Sequence, residues 1–201
     1  MPNRTPDIPR PESPLLILGG TFDPPHIGHL VLAECARVQL GASKVVFVPA
    51  RDPYRKADRD VSSARHRLAM VRLAIVGNPA FTIDERELRR EGPTYTVDTL
   101  EELSAEGHEQ IVLILGADAV ADMPHWKHPD RIRELATLAI APQDPQPAGP
   151  PGQLIVDMPP LSISSTLIRG RVAAGRPIRY LTTESVARYI AGHGLYRSSA
   201  P

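Results

Sequence analysis

The tightest constraint on this chain is the run Gly19-Gly20-Thr21-Phe22-Asp23-Pro24-Pro25-His26-Ile27-Gly28-His29. An apolar run of strand length precedes it at 15–18. Residues 30–40 follow, polar only at Glu34, Arg37 and Gln39, with the pattern of a largely buried helix. The stretch is therefore a strand-to-helix turn near the start of the fold. Two glycines allow a tight turn and let a ligand approach backbone with no Cβ in the way. His26 and His29, three residues apart at a helix start, share a face with unpaired N–H groups. That combination suits an anion, phosphate above all. The chain has neither G-x-G-x-x-G nor G-x-x-x-x-G-K-[ST], so a dinucleotide turn and a Walker A loop are unsupported. Without H-E-x-x-H or a cysteine pair, the two histidines are a weak zinc signal. An ordinary turn with incidental histidines fits poorly with so many Gly, Thr, Asp, Pro and His in one place.

The rest of the chain supplies a sheet for this turn. Strands are expected at 44–49, 81–84, 110–115, 138–141 and 154–158, and helices at 27–40, 64–75, 97–106, 130–135, 162–174 and 183–191. Along 64–75 the helical stripe is Ala64, Leu68, Val71 and Ile75. This alternation predicts an α/β, single-domain, doubly wound parallel sheet over 14–201, whose ligand crevice lies at the carboxyl ends of the strands. Residues 1–13 read as a disordered tail, and 142–152, with five prolines and two glycines, as a surface loop. With 23 basic and 23 acidic side chains the formal net charge is zero, which gives no sign of a nucleic-acid partner. The single cysteine, Cys35, permits no disulfide framework. No apolar run reaches membrane length, so a cytoplasmic protein without a membrane partner is expected. Oligomeric state stays open, a homo-oligomer included.

Four further segments leave strand ends and can line the crevice. Arg51, Arg55 and Lys56, in the charged loop over 50–61, can reach a triphosphate. Gly92-Pro93-Thr94-Tyr95-Thr96 opens a helix whose N–H groups suit a carboxylate. Gly116-Ala117-Asp118 follows the best strand, and Trp126 sits beyond it among His125, Lys127 and His128, a poor address for a core residue. Its indole can stack on a planar ring. Finally, Ile163-Ser164-Ser165-Thr166 with Arg169 one turn on makes an anion cradle of hydroxyls, N–H groups and one cation.

Gly19-Gly20-Thr21-Phe22-Asp23-Pro24 with His26-Ile27-Gly28-His29, and Ile163-Ser164-Ser165-Thr166-x-x-Arg169, resemble the two signatures of the His-x-Gly-His nucleotidyltransferase superfamily. Gly116-x-Asp118 with a loop tryptophan, and the run at Thr94, are similar to the nicotinate-nucleotide adenylyltransferases within it. The resemblance spans about 15–196. It implies a Rossmann-like nucleotidyltransferase fold and adenylyl transfer from ATP, with Mg²⁺, to nicotinate mononucleotide, giving deamido-NAD and pyrophosphate. It implies catalytic roles for His26, His29, Lys56 and Arg169. It places Gly19, Gly20, Thr21, Phe22, Ser164, Ser165 and Thr166 on ATP, and Asp23, Thr94, Tyr95, Gly116, Asp118 and Trp126 on the acceptor, with no protein metal ligand. The lysine of the family's Pro-Lys loop corresponds to Lys56, although Arg55 stands where the family usually has histidine. A superfamily transferase using nicotinamide mononucleotide or phosphopantetheine, or a non-catalytic nucleotide-binding module, is the alternative.

Overall fold

The computed structural model describes residues 13–51, 61–141 and 153–197. The strands are β1 (Leu15–Gly20), β2 (Val45–Pro49), β3 (Phe81–Ile83), β4 (Ile111–Gly116), β5 (Thr137–Ala141) and β6 (Gln153–Ile155). They form one sheet in the order β3-β2-β1-β4-β5-β6, and every neighbouring pair is parallel. The order reverses between β1 and β4. Chains leaving these two strands diverge to opposite faces, which opens a crevice at their carboxyl ends. The expected doubly wound α/β sheet is the fold observed.

Alternation along each strand fills both faces. Leu16 and Leu18 enter one core with Val45, Phe47, Val112 and Ile114, while Ile17 enters the other with Val48, Leu113 and Leu115. Apolar residues on both faces are what a covered parallel sheet demands. The helices are α1 (Ile27–Gln39), α2 (Ala64–Ile75), α3 (Arg86–Arg89), α4 (Thr96–Ala105), α5 (Ala117–Asp122), α6 (Pro129–Leu135), α7 (Ser165–Ala173) and α8 (Glu184–Gly192), with a 3₁₀ turn at Met123–His125. Among the described residues no helix is long and apolar enough to cross a membrane.

Helix α2 departs from its expected stripe. It gives Val71 to the first core, and Met70 and Ala74 to a third core with Ile168 of α7 and Val186 and Ile190 of α8. Packed on two sides, it buries Arg67, Met70, Val71 and Ala74; of the expected stripe, Val71 and the partly buried Ile75 face the first core. Arg67, only 1% exposed, lies where the two sides meet. Its Nε donates to Ser62 O at 2.9 Å, Nη1 to Thr21 O at 2.9 Å and Ala50 O at 2.5 Å, and Nη2 to Arg51 O at 2.6 Å. One planar fork thus joins the chain leaving β1, the chain leaving β2 and the entry to α2. It satisfies carbonyls that would otherwise be buried without partners.

Other departures are local. Gly19 and Gly20 complete β1 rather than form the turn, and the left-handed residue is Phe22, at φ 51°. The charged run at 85–91 folds into α3 with Glu87 buried, because Thr99 and Arg90 can pair its charge. Gly116 leads directly into α5, helical through Asp122. β6 is shorter than 154–158: Val156 N still reaches Ile140 O at 2.8 Å, but Asp157 N is taken by the Gln39 side chain at 2.8 Å. Pro159 and Pro160 then have no N–H for the ladder. The expectations for the N-terminal tail through residue 12, for Lys56 and for 142–152 lie outside the described residues.

Arg67→Lys should lower unfolding free energy by about 2–4 kcal/mol, since a point-like ammonium cannot reach all four carbonyls and each one stranded costs about 1–3 kcal/mol. Urea denaturation measures this. A loss under about 1 kcal/mol would mean that the fork is dispensable.

Candidate active site

Between Gly20 and α1 the chain runs through Asp23-Pro24-Pro25, and two consecutive prolines offer no N–H to hold it. Their carbonyls do the holding. Arg169 Nη1 donates to Asp23 O, Ser165 Oγ to Pro24 O and Thr182 Oγ1 to Pro25 O, each at 2.8 Å. Ile27 N donates to Leu181 O at 3.0 Å. Asp23 itself is buried. Its Oδ2 accepts from Ser62 N at 3.2 Å and its Oδ1 from the Tyr196 hydroxyl at 2.5 Å. The Tyr196 hydroxyl is held protonated, its pKa pushed well up by burial and by the Asp23 carboxylate. Asp23, expected on the acceptor, is thus a structural tie here, with both oxygens engaged.

His26 is the N-cap of α1, and His29 lies three residues along it. His29 Nδ1 accepts the His26 backbone N–H at 3.1 Å. A neutral ring that accepts at Nδ1 carries its proton on Nε2, so Nε2–H is the donor His29 can offer to a phosphate oxygen. The Phe22 ring fixes that orientation, meeting His29 edge-on with centroids 5.1 Å apart. Phe22, expected at the nucleotide, packs its ring in the core beneath His29 because its left-handed backbone turns the side chain inward. The His26 ring stacks on His29 with centroids at 3.7 Å. Burial depresses the His26 pKa to about 4, and among the described residues its buried Nδ1 has no hydrogen-bond partner. The ring is therefore neutral near pH 7 and adds no repulsion to the stack.

The glycines have separate reasons. A Cβ on Gly28 would lie 3.0 Å from His26 Nδ1, and one on Gly20 would lie 3.0 Å from the Phe22 ring. A Cβ on Gly19 or Gly116 would meet nothing within 4 Å, so backbone lies open on both strands that flank the crevice.

Helix α7 faces the turn. Ser164 caps it, its Oγ accepting Leu167 N at 3.1 Å, and Thr166 Oγ1 accepts from Arg169 Nη2 at 3.2 Å. In these bonds both hydroxyl oxygens accept, so neither uses its own hydrogen. Ser165 spends its only hydroxyl hydrogen on Pro24 O, so it has just its backbone N–H to give a phosphate. Arg169 is anchored at two points, and among the described residues these bonds use two of its five N–H donors. Thr21 contributes its carbonyl to Arg67.

The second group lies across β1 and β4. Tyr95 is the N-cap of α4 and makes no side-chain cap bond. Lys127 Nζ stands 4.5 Å over its ring and pairs with Asp98 at 2.9 Å. Asp118 is exposed in the first turn of α5, directly after Gly116. Trp126 is half-buried against the second core, with Nε1 donating to Asp122 at 3.2 Å, so it is less a solvent-loop residue than its neighbours suggest. Thr94 is buried with its hydroxyl bonded to Glu87. Arg51, expected at the triphosphate, donates to Arg90 O at 2.9 Å. Sequence reasoning missed Arg67, Thr182, Tyr196, Ser62 and Glu87. Only Arg67 left a trace, as a charge inside an apolar helical stripe.

The crevice thus gathers open glycine backbone, two stacked imidazoles and an anchored arginine beside a capped helix start. The model of the cytidylyltransferase-like family matches residues 17–171. A probable nicotinate-nucleotide adenylyltransferase of Roseiflexus sp. (strain RS-1) is 44% identical over 197 residues, spanning 92% of this chain and 99% of that one. Its counterpart in Thermomicrobium roseum is 44% identical over 198 residues, spanning 92% of each. The Plasmodium falciparum nicotinic acid mononucleotide adenylyltransferase complexed with NaAD has the same fold, with a TM-score of 0.75 at 20% identity over 92% of this chain and 97% of that one. The chain belongs to the cytidylyltransferase-like family and, within it, to the nicotinate-nucleotide adenylyltransferases.

The buried His26 makes stability pH-dependent. Its folded pKa, about 4, lies below the ordinary 6.5, so between those values the unfolded chain binds a proton that the folded one does not. Stability is therefore full above pH 6.5 and falls as pH drops toward 4, by about 3 kcal/mol in all. His26→Gln should flatten the melting temperature between pH 6.5 and 5 relative to the unmutated protein. Parallel curves would contradict the assignment.

Proposed function

We propose that this chain transfers the adenylyl group of ATP to nicotinate mononucleotide, giving deamido-NAD and pyrophosphate. The observation that carries the proposal is the fixed apposition of His29 and the start of α7 through the bonds from Arg169 and Ser165 to Asp23 and Pro24. The acceptor's phosphate oxygen attacks the α-phosphorus in line. A new P–O bond forms as the bond to the departing pyrophosphate breaks. The attacking phosphate is already anionic, so no general base is needed. Alignment and neutralisation of growing charge are the requirements.

In this reading His29 Nε2–H donates to the α-phosphate, and His26 supports it as a neutral stacked ring. Arg169 and Lys56 meet the charge of the leaving pyrophosphate. The hydroxyls of Ser164 and Thr166 and the first N–H groups of α7 hold the ATP phosphates. Gly19, Gly20 and Thr21 line the nucleotide's path with backbone. Mg²⁺ would enter with ATP. The ion would be held chiefly by phosphate oxygens and water. Gly116, Asp118, Tyr95 and Trp126 form the acceptor side. The start of α4, with no side-chain cap, supplies N–H groups for the ring carboxylate.

Those donors strengthen toward a carboxylate and face the N–H₂ of an amide unfavourably. With ATP saturating, kcat/KM should favour nicotinate over nicotinamide mononucleotide by at least about tenfold, the equivalent of about 1.4 kcal/mol. Equal values for the two acceptors would contradict the proposal.

A further inference from the structure

Only two carboxylates are buried among the described residues, Asp23 and Glu87. Asp23 ties the proline turn, as above. Glu87 lies 8% exposed on the short helix α3, outside all three apolar cores. Burying a carboxylate costs stability unless its oxygens are matched by donors, so the partners it gathers show what it does. Thr99 Oγ1 donates to Glu87 Oε1 at 2.7 Å, and the Thr94 hydroxyl is its second side-chain donor. Burial raises the Glu87 pKa, while the two hydroxyls and the nearby Arg90 pull the other way.

These two threonines bracket the start of α4. Thr94 immediately precedes the N-cap Tyr95, and Thr99 lies at the end of the first turn. A hydroxyl has one hydrogen, so while Thr94 donates to Glu87 it cannot donate to an acceptor carboxylate. Recognition then falls to the backbone N–H groups at the helix start, whose aim depends on how residues 94–96 are held. Arg90 reinforces the clamp. Its Nη1 reaches Thr99 Oγ1 at 3.4 Å, its Nη2 reaches Glu102 at 2.6 Å, and its carbonyl receives Arg51. Arg51 in turn gives its carbonyl to Arg67. The acceptor side is thereby joined to the frame that carries the phosphate turn.

We propose that Glu87 is a positioning residue for acceptor recognition: by holding Thr94 and Thr99 it aims the N–H groups at the start of α4 toward the acceptor's ring carboxylate. The inference rests on the acceptor reading given above. It separates two roles that sequence alone would merge, since Thr94 orients the segment and does not itself donate to substrate.

The test is steady-state kinetics with ATP, nicotinate mononucleotide and nicotinamide mononucleotide on the full chain and on Glu87→Gln, Thr99→Val and Thr99→Ser. Thr99 is buried and its hydroxyl is shared between Glu87 at 2.7 Å and, more weakly, Arg90 at 3.4 Å, so its effect on the acceptor passes through this clamp and chiefly through the carboxylate. Loss or mismatch of one such bond should raise the KM for nicotinate mononucleotide roughly three- to tenfold in Glu87→Gln and in Thr99→Val. The preference for nicotinate should shrink by the same factor, with KM for ATP and kcat held within about twofold. Thr99→Ser, which keeps the donor, should behave as the unmutated protein. Combining Glu87→Gln with Thr99→Val should add little to either alone. If Glu87→Gln fails to fold, the Val and Ser variants at position 99 decide by the same readout. A parallel rise in KM for ATP and acceptor would overturn the proposal, as would a fall in melting temperature with unchanged acceptor KM. An unmutated protein indifferent to the ring carboxylate would overturn the acceptor reading itself; a selective one with equally selective variants would overturn only the role of Glu87.

Discussion

The phosphate turn of this protein has to be held by its carbonyls. Pro24 and Pro25 remove two N–H groups in succession, and the oxygens of Asp23, Pro24 and Pro25 are taken by Arg169, Ser165 and Thr182. Each of those donors comes from the segment after β6, which among the described residues adds no further strand to the sheet. The third core explains how that segment is brought into register. Ile168, Val186 and Ile190 pack on Met70 and Ala74 of α2, and this places α7 with its capped start against the turn. Arg67, on the same helix, then fixes the other side of the turn through Thr21. Hydrophobic packing sets the approach, and hydrogen bonds to carbonyls set the final geometry.

This construction divides the polar groups near the crevice into those that hold the frame and those left to meet substrate. Asp23, Ser165, Thr182, Tyr196 and Arg67 hold the frame. Among the described residues, the groups that the proposal gives to substrate are the His29 ring, the hydroxyls of Ser164 and Thr166, the first N–H groups of α7 and Arg169. Every one of them is a hydrogen-bond donor, and only the arginine carries a fixed charge. A site of this kind stabilises charge developing on phosphate oxygens without proton transfer. A neutral His26 stacked on His29 suits that task, since a charged ring at this separation would add repulsion.

Much of this was legible before the structure. Apolar runs alternating with helical patterns are enough to announce a parallel sheet, because strands covered on both faces have no polar residues to spare. The two helix starts with their histidines, hydroxyls and arginine also declare themselves locally. What could not be read is whatever depends on two elements meeting. Asp23 looked like a ligand because nothing in the sequence joins it to Tyr196, which lies at the far end of the chain. Phe22 looked like a nucleotide contact because its left-handed backbone leaves no signature in a residue other than glycine. Helix α2 misled for a related reason: a helix packed on two sides has two stripes, and a single 3.6-residue period finds Val71 and Ile75 of one but misses Met70 and Ala74 of the other. Glu87 lies in a run of six charges at 85–91, where nothing in the sequence joins it to Thr94 and Thr99.

The central claim is that the phosphate site is built in advance by bonds to the carbonyls of residues 23–25. A crystal structure of the protein with a non-hydrolysable ATP analogue would test it most directly. The account predicts an α-phosphate oxygen within about 3 Å of His29 Nε2, the usual hydrogen-bond distance. It also predicts backbone shifts of no more than about 1 Å across residues 20–29, as in other pre-organised complexes. An α-phosphate bound elsewhere, or a turn that lets go of Arg169 and Ser165 to receive it, would contradict the account.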